Sequence, residues 1–274
     1  MNPRPWLVVC LSALPSLTSC SVPGFYVAPR YGTSLAVSGS AGITEGVAVP
    51  SDENTVAELG IGDNDGYYGG RLGLEMGNVH LLLTTQSSAH AGSGELAVEI
   101  SDGGVVIPEE AFVDTIFHFG LHELLLTFDL IPEESVSLGL GLGATSLAFD
   151  MRIDEMVIDP MDEEVLIPSG QRIRAASDAP VPVIGVRFTA ILGRFSLELD
   201  LAGMDIDIGG DHLSYMDAGI EATLWLLPDD SRAHFALLGG YRYTSIDLQV
   251  DTGESLVDAD MTFSGPYIGL GLSF

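Results

Sequence analysis

The sequence contains no lysine. Its ten basic residues are all arginine, set against 39 aspartates and glutamates, for a formal charge of −29 at pH 7. A nucleic-acid binder needs a positive face to neutralise phosphates, so this absence excludes nucleic acid as a partner. Cysteine is nearly missing too: Cys10 and Cys20 are the whole supply, which excludes a cysteine-based metal site. No apolar run reaches the ~18 residues of a spanning helix, so a helical membrane protein is excluded as well. Disorder is the usual companion of so high a net charge. Here 46% hydrophobic content and a positive mean hydropathy oppose it. What the chain has in quantity is glycine, 33 residues of it.

The first nineteen residues read as an export signal. Arg4 supplies a minimal positive start, residues 6–14 form a short apolar core, and Pro15 ends it. Leu17-Thr18-Ser19-Cys20 follows directly and resembles the lipobox of bacterial lipoproteins. That resemblance implies cleavage between Ser19 and Cys20, a diacylglycerol thioether on Cys20, and acylation of the new amino terminus, the step that palmitate labelling follows. Ser21 lacks the aspartate that the same family links with inner-membrane retention. The alternative is an ordinary secretory signal that ends near a cysteine. Cleavage would remove Cys10 and leave one thiol, so no internal disulfide could form; lipidation gives that lone cysteine a purpose.

Beyond residue 30 the apolar period is two. In Tyr267-Ile268-Gly269-Leu270-Gly271-Leu272-Ser273-Phe274 the even positions are large and apolar, while the odd ones are Tyr, Gly, Gly and Ser. Residues 136–143, 195–201 and 216–224 alternate likewise, which predicts strands with one apolar and one polar or tiny face. A soluble sandwich would place glycine on a solvated face, where it only weakens a strand. Lining a narrow closed barrel, glycine leaves room for Arg and Tyr, and the Leu face then meets lipid. Ten strands are expected, near 30–42, 65–75, 78–88, 112–130, 135–150, 181–192, 195–207, 213–227, 232–248 and 259–274. Eight is the alternative, because 78–88 alternates poorly. Short joints (76–77, 132–134, 193–194, 228–231) interleave with longer ones (43–64, 89–111, 151–180, 249–258, and the shorter 208–212), as in outer-membrane barrels. The fold class expected is thus all-β, a closed antiparallel up-and-down transmembrane barrel. Its domains are a signal at 1–19, a periplasmic linker carrying Cys20 at 20–29, and the barrel at 30–274.

The carboxyl-terminal residues Tyr267, Ile268, Leu270, Leu272 and Phe274 are similar to the assembly signal of bacterial outer-membrane proteins. Gly24-Phe25-Tyr26-Val27-Ala28-Pro29-Arg30-Tyr31-Gly32 looks like the first strand of the small outer-membrane barrel family, which includes the transmembrane domain of outer membrane protein A and the opacity-type porins. The resemblance covers 24–274 as an architecture and is specific only at the two ends. It implies a location in the bacterial outer membrane, surrounding outer-membrane lipid, and insertion by the barrel-assembly machinery. A lipidated barrel departs from the family's usual signal; the acyl chains would tether the periplasmic end.

Arg71, Glu75, Arg187, Glu198, Asp200, Asp217, Glu221 and Arg242 fall on the small face of their strands and are expected inside the barrel. Buried charges must be paired or solvated, so an ion-pair filling is expected, with a solute-selective lining as the alternative. Acids outnumber arginines there, so some carboxylates must be protonated, wet near a rim, or bound to a cation. The long joints concentrate further acid, at Asp154, Asp159, Asp52, Asp63, Asp205 and Asp251 among others, and 89–111 and 151–180 also hold β-like stretches (Val105-Val106-Ile107, Val165-Leu166-Ile167) able to extend hairpins above the membrane. No cofactor is implied, but such clusters suit Ca²⁺ or Mg²⁺, although none follows a twelve-residue calcium loop. No nucleophile elbow or phosphate-binding glycine loop occurs, and catalysis is not expected. His118 and His122 have helix-like spacing, yet on a strand they stand about 13 Å apart, too far for one ion. The expected role is structural or surface-interacting, with a filled lumen and an extracellular partner the sequence does not identify. The alternatives are a soluble exported lipoprotein holding a small apolar ligand, and a small-solute pore.

Overall fold

The computed structural model describes residues 24–45, 54–61, 65–132, 135–208, 211–226, 233–251 and 255–274. The signal segment, Cys20, residues 46–53, 62–64, 133–134, 209–210 and 252–254, and the whole 228–231 turn lie outside the described residues. The alternating segments form strands β1 (Gly24–Glu45), β2 (Asn54–Thr55), β3 (Asp65–Met76), β4 (Val79–Glu95), β5 (Ile100–Asp102), β6 (Val105–Ile107) and β7 (Phe112–Pro132). The rest are β8 (Val136–Asp159), β9 (Asp162–Leu192), β10 (Phe195–Ile208), β11 (Asp211–Trp225), β12 (His234–Asp251) and β13 (Ser255–Ser273). Ten of them make one antiparallel up-and-down ring in the order β1-β3-β4-β7-β8-β9-β10-β11-β12-β13. β13 pairs back on β1, from Tyr26↔Ser273 to Glu45↔Ser255. The two-residue β2 adds to β1, and β5 with β6 forms a separate hairpin.

The expectation of ten strands agrees with this ring; several boundaries do not. The first strand starts at Gly24, not Arg30, so residues 24–29 are wall and not linker. Phe25 faces out and Ala28 is fully buried, so the alternation was already running there. Residues 151–180, read as a long joint, are the upper parts of β8 and β9, which pair through Asp159↔Asp162. Their charged residues had masked a period of two.

The larger correction concerns which face is apolar. On β7 the outward Leu124, Leu126, Phe128 and Leu130 are about half exposed, while Glu123, Thr127 and Asp129 are buried inside. Above His122 the pattern inverts: Phe117, Phe119 and Leu121 are buried, and His118 and His122 face out. β8 makes the same change, from outward Leu140 and Leu142 to buried Leu147, Met151 and Ile153. β13 follows, from outward Ile268 and Leu270 to buried Met261 and Phe263. On these three strands the apolar pattern therefore slips phase by one residue partway up, while the in-and-out alternation runs on unbroken. The barrel has two storeys: a lower one apolar outside and polar inside, and an upper one built like a soluble β-barrel. Phe117 and Phe119 stack on Phe263 in that upper core, with ring centroids 6.1 and 4.1 Å apart. Aromatic rings mark the lower storey's limits, Phe25 with Phe274 at the short-turn end and Tyr31 with Tyr68 at the other.

Two inserts fill the upper mouth. β3 is shorter than its neighbours, and residues 54–61 take its place in the wall. Thr55 pairs with Ser40 of β1, and Gly60 lies against the backbone of Gly92 and Gly94 on β4, where no Cβ would fit. Leu59, Leu96, Ile100 and Ile107 are buried beneath this cover. Asn54 pins the two inserts together: its side-chain amide donates to Val98 O (2.9 Å) and accepts from Ala97 N (2.8 Å) and Val98 N (3.0 Å). On the far side the wall parts. β9 and β10 pair only from Phe195↔Leu192 to Gly203↔Ile184, and above that neither edge has a partner strand among the described residues.

Removing the Asn54 side chain takes away three part-buried hydrogen bonds, each worth about 0.5–1.5 kcal/mol. Asn54→Ala is expected to speed hydrogen exchange at Ala97 and Val98 by roughly tenfold or more, while β7 and β8 amides in the lower storey keep their protection. Equal acceleration everywhere would show that the inserts and the barrel unfold as one unit.

Candidate functional site: the charged lumen and the acidic rim

Glycine makes the lower lumen possible. A side chain at Gly240 would collide with the Tyr267 ring, and one at Gly32 with the ring of Tyr67. With those positions empty, four arginines (Arg30, Arg71, Arg187, Arg242) and seven carboxylates share the interior. Of the eight charged residues expected inside from the sequence, Arg71, Arg187, Glu198, Asp200, Asp217, Glu221 and Arg242 are enclosed by the wall, and Glu75 stands exposed at the short-turn mouth. Arg30, Glu123 and Asp129 join them, with His80 between two acids. Parity on β7 pointed to Glu123 and Asp129, which alternate with Leu124, Leu126 and Phe128.

Arg71 spans the lumen. It rises from β3, five strands around the ring from β10 in either direction, and bonds Glu198 and Asp200 of that strand. Its guanidinium also lies 3.9 Å from Glu221. Glu198 and Glu221 stand directly opposite each other across the β10–β11 pair, a repulsive placement unless a cation intervenes. Arg71 supplies that cation from the opposite wall. Arg30 bonds Glu221 at 2.5 Å and lies over the Tyr267 ring, 4.9 Å from its centroid, and the Tyr267 hydroxyl donates to Glu221 (3.1 Å). Arg242 forks onto both oxygens of Asp217 at 2.8 and 3.0 Å, and Thr244 donates to the same carboxylate (2.7 Å). Nearer the short turns, Arg187 lies between Glu198 (3.4 Å) and Glu75 (3.6 Å), while His80 meets Asp129 at 2.8 Å. Glu123 accepts from Tyr215 at 3.3 Å and from Thr145 at 3.5 Å. The free space between Arg30, Arg71, Glu123, Asp200, Asp217 and Arg242 is a cavity of ≈ 20 Å³, room for about one water.

The residues of the terminal assembly motif split as their parity requires. Ile268, Leu270 and Phe274 are exposed on the outer wall, Leu272 shares their face, and Tyr267 is buried inside. His118 and His122 also face outward, on separate rungs of β7. Among the described residues, no three of His, Cys, Asp or Glu converge to hold a metal ion.

The upper rim is anionic. Neighbouring outward rungs across β10, β11, β12 and β13 read Asp205–Ser214–Asp247–Asp260 and Asp207–His212–Gln249–Asp258. His212 Nδ1 lies 2.8 Å from Asp207, and this bond, reinforced by the nearby Asp247 and Asp205, raises the imidazole above its ordinary value. On the β8–β9 hairpin, Asp150 receives both arms of Arg174 (2.7 and 2.8 Å) and is held below the usual carboxylate range by that bond. Burial opposes ionisation of Asp154, but bonds from Arg152 and Arg172 outweigh it and keep its carboxyl low as well.

Neither a protein-family model nor a characterised protein sequence matches the chain. Among solved structures, it is similar to the outer membrane protease OmpT from Escherichia coli, with a TM-score of 0.55 at 12% identity, covering 94% of this chain and 100% of that one. Weaker likenesses are to the transport unit of the autotransporter AIDA-I from Escherichia coli (TM-score 0.35, 8% identity, 95% and 92% covered) and a Pseudomonas aeruginosa FadL homologue (0.29, 8%, 92% and 90%). At these identities the OmpT likeness speaks for the fold alone, and the other two are too distant to carry an argument. The architecture is that of the outer-membrane β-barrels.

Two outcomes follow from the geometry. Arg71→Met leaves Glu198, Asp200 and Glu221 facing one another without their shared cation, and breaking a buried pair this way costs about 3–5 kcal/mol. Urea unfolding in detergent micelles is expected to shift by that amount, and a change below about 1 kcal/mol would mean that water already solvates these acids. At the rim, the raised value of His212 makes its bond to Asp207 stabilising below the ordinary histidine range, with the contribution lost as pH rises through the shifted value. Imidazole NMR titration of Asp207→Asn should bring His212 back toward about 6.5.

Proposed function

We propose that the chain is an integral protein of the bacterial outer membrane. Its lower storey is the anchor, its lumen is a filled plug, and its upper storey is a platform for surface contact. The observation that carries this reading is the pairing of an apolar outer belt with a cross-linked ionic interior in the lower storey. A soluble cup for an apolar ligand would want the reverse there, since Leu124, Leu126, Phe128 and Leu142 would lie in water. A small-solute pore needs a continuous path, and Arg71 crosses the lumen beside a cavity of ≈ 20 Å³. Catalysis has no place in the proposal: the lumen's charges are taken up by one another, and the rim histidine lies on the open outer wall. Cys20 is proposed as a lipid attachment that tethers the short-turn end, and the barrel-assembly machinery as the route of insertion.

A folded membrane barrel resists SDS until boiled, so the chain is expected to migrate faster unheated than heated. Identical migration, with extraction by mild detergent as for a simple tethered protein, would sink the anchor. Reconstituted into planar bilayers, the folded chain should add no steady conductance; stepwise openings in the wild type would overturn the plug and favour the pore. For the tether, wild type should incorporate labelled palmitate and Cys20→Ala should not.

A further inference from the structure

Among the described residues, the parted wall between β9 and β10 leaves two strand edges without a partner strand, a template for another strand. They are not equivalent. β9 carries Pro180 and Pro182 on its free stretch, and proline on an edge strand blocks pairing. β10 carries no proline between Met204 and Ile208. Its inward Met204 and Ile206 are only half-buried at the margin of the upper core, and its outward Asp205 and Asp207 are exposed. Behind them on the same outer face stand Asp247 and Asp260, with His212 the one basic group in these rungs. A second copy of the chain is a poor occupant, because both surfaces would bring the same sign of charge.

We propose that the free edge of β10 over Met204–Ile208 accepts an extended polypeptide segment as an added strand. The segment alternates apolar and cationic side chains. Apolar residues of the segment turn inward beside Met204 and Ile206, and its arginines or lysines turn outward against Asp205, Asp207 and Asp247. Backbone pairing supplies the geometry, and the charge rungs supply the selectivity. The inference deepens the surface-contact role proposed above and rests on it.

The probe is a fluorescein-labelled Arg-Val-Arg-Val-Arg-Val-Arg peptide, followed by anisotropy with the full chain folded in detergent micelles. Saturable binding is expected, and the glutamate counterpart should not bind. Two isomers with backbone N-methyl groups, either on the valines or on the arginines, separate edge pairing from mere charge attraction. An added strand offers alternate N–H groups to β10, so one isomer should lose about tenfold or more in affinity while the other keeps it. Asp205→Asn with Asp207→Asn should weaken the parent peptide by a similar factor. No saturable binding, or equal binding by both methylated isomers and the parent, overturns the inference. Heat-modifiable migration measured on the same sample keeps the two readings apart: if it persists while binding fails, only the docking edge is lost.

Discussion

A charge inside a narrow barrel has little besides other charges to solvate it. In this protein that constraint sets the lower storey. Four arginines and a histidine serve seven carboxylates, and the arrangement closes only because Arg71 reaches from β3 to the opposite wall. Glu198 and Glu221 can stand face to face on β10 and β11 because that guanidinium lies between them. The glycines follow from the same requirement. Without the empty positions at Gly240 and Gly32, Tyr267 and Tyr67 could not turn inward, and Glu221 would lose its hydroxyl donor. Filling the lower lumen and stabilising the ring are one physical event: the same charges that occupy the interior tie opposite walls together.

The upper storey obeys the opposite rule with the same strands. There the outer face meets water, the inner face is sealed by the 54–61 and 96–107 inserts, and an aromatic stack around Phe263 replaces the ion pairs. Closure relaxes accordingly. In the lower storey every strand pairs on both sides, as a lipid surround demands of its backbone groups. Above it, β9 and β10 separate without that penalty, because water can satisfy an open edge. Pro180 and Pro182 guard one edge; the other is left receptive.

Much of this was legible in the sequence, for identifiable reasons. Strict alternation in 136–143 and 267–274 gave away both strand and face, and the interior charges followed from parity with glycine. Two things were hidden. The extent of upper β8 and β9 was hidden: Val165-Leu166-Ile167 marked a stretch able to extend a hairpin, but Asp154, Asp159 and Asp162 crowd the turn and hide the rest of the alternation. The second storey was missed because one polarity was assumed for each whole strand. The signal was present in Phe117-His118-Phe119-Gly120-Leu121-His122-Glu123-Leu124, where the apolar residues move from odd to even positions between Leu121 and Leu124. Asn54, Arg30 and the parted wall carry no local mark. Their roles depend on which distant strands the ring brings together.

The phase slip has a further consequence, for seating. A strand rises about 3.4 Å per residue and tilts by roughly 40° in such barrels, so each step moves a side chain about 2.6 Å along the membrane normal. A uniform outward alternation would let the barrel ride up or down by a rung at little cost. With the slip, sinking by two residues would drag His122 below the headgroups, and rising by two would lift Leu124 into water. The Leu121–Leu124 step works like a painted waterline on a hull, repeated on β8 and β13. It fixes the protein's draught in the bilayer alongside the aromatic pairs at the two limits.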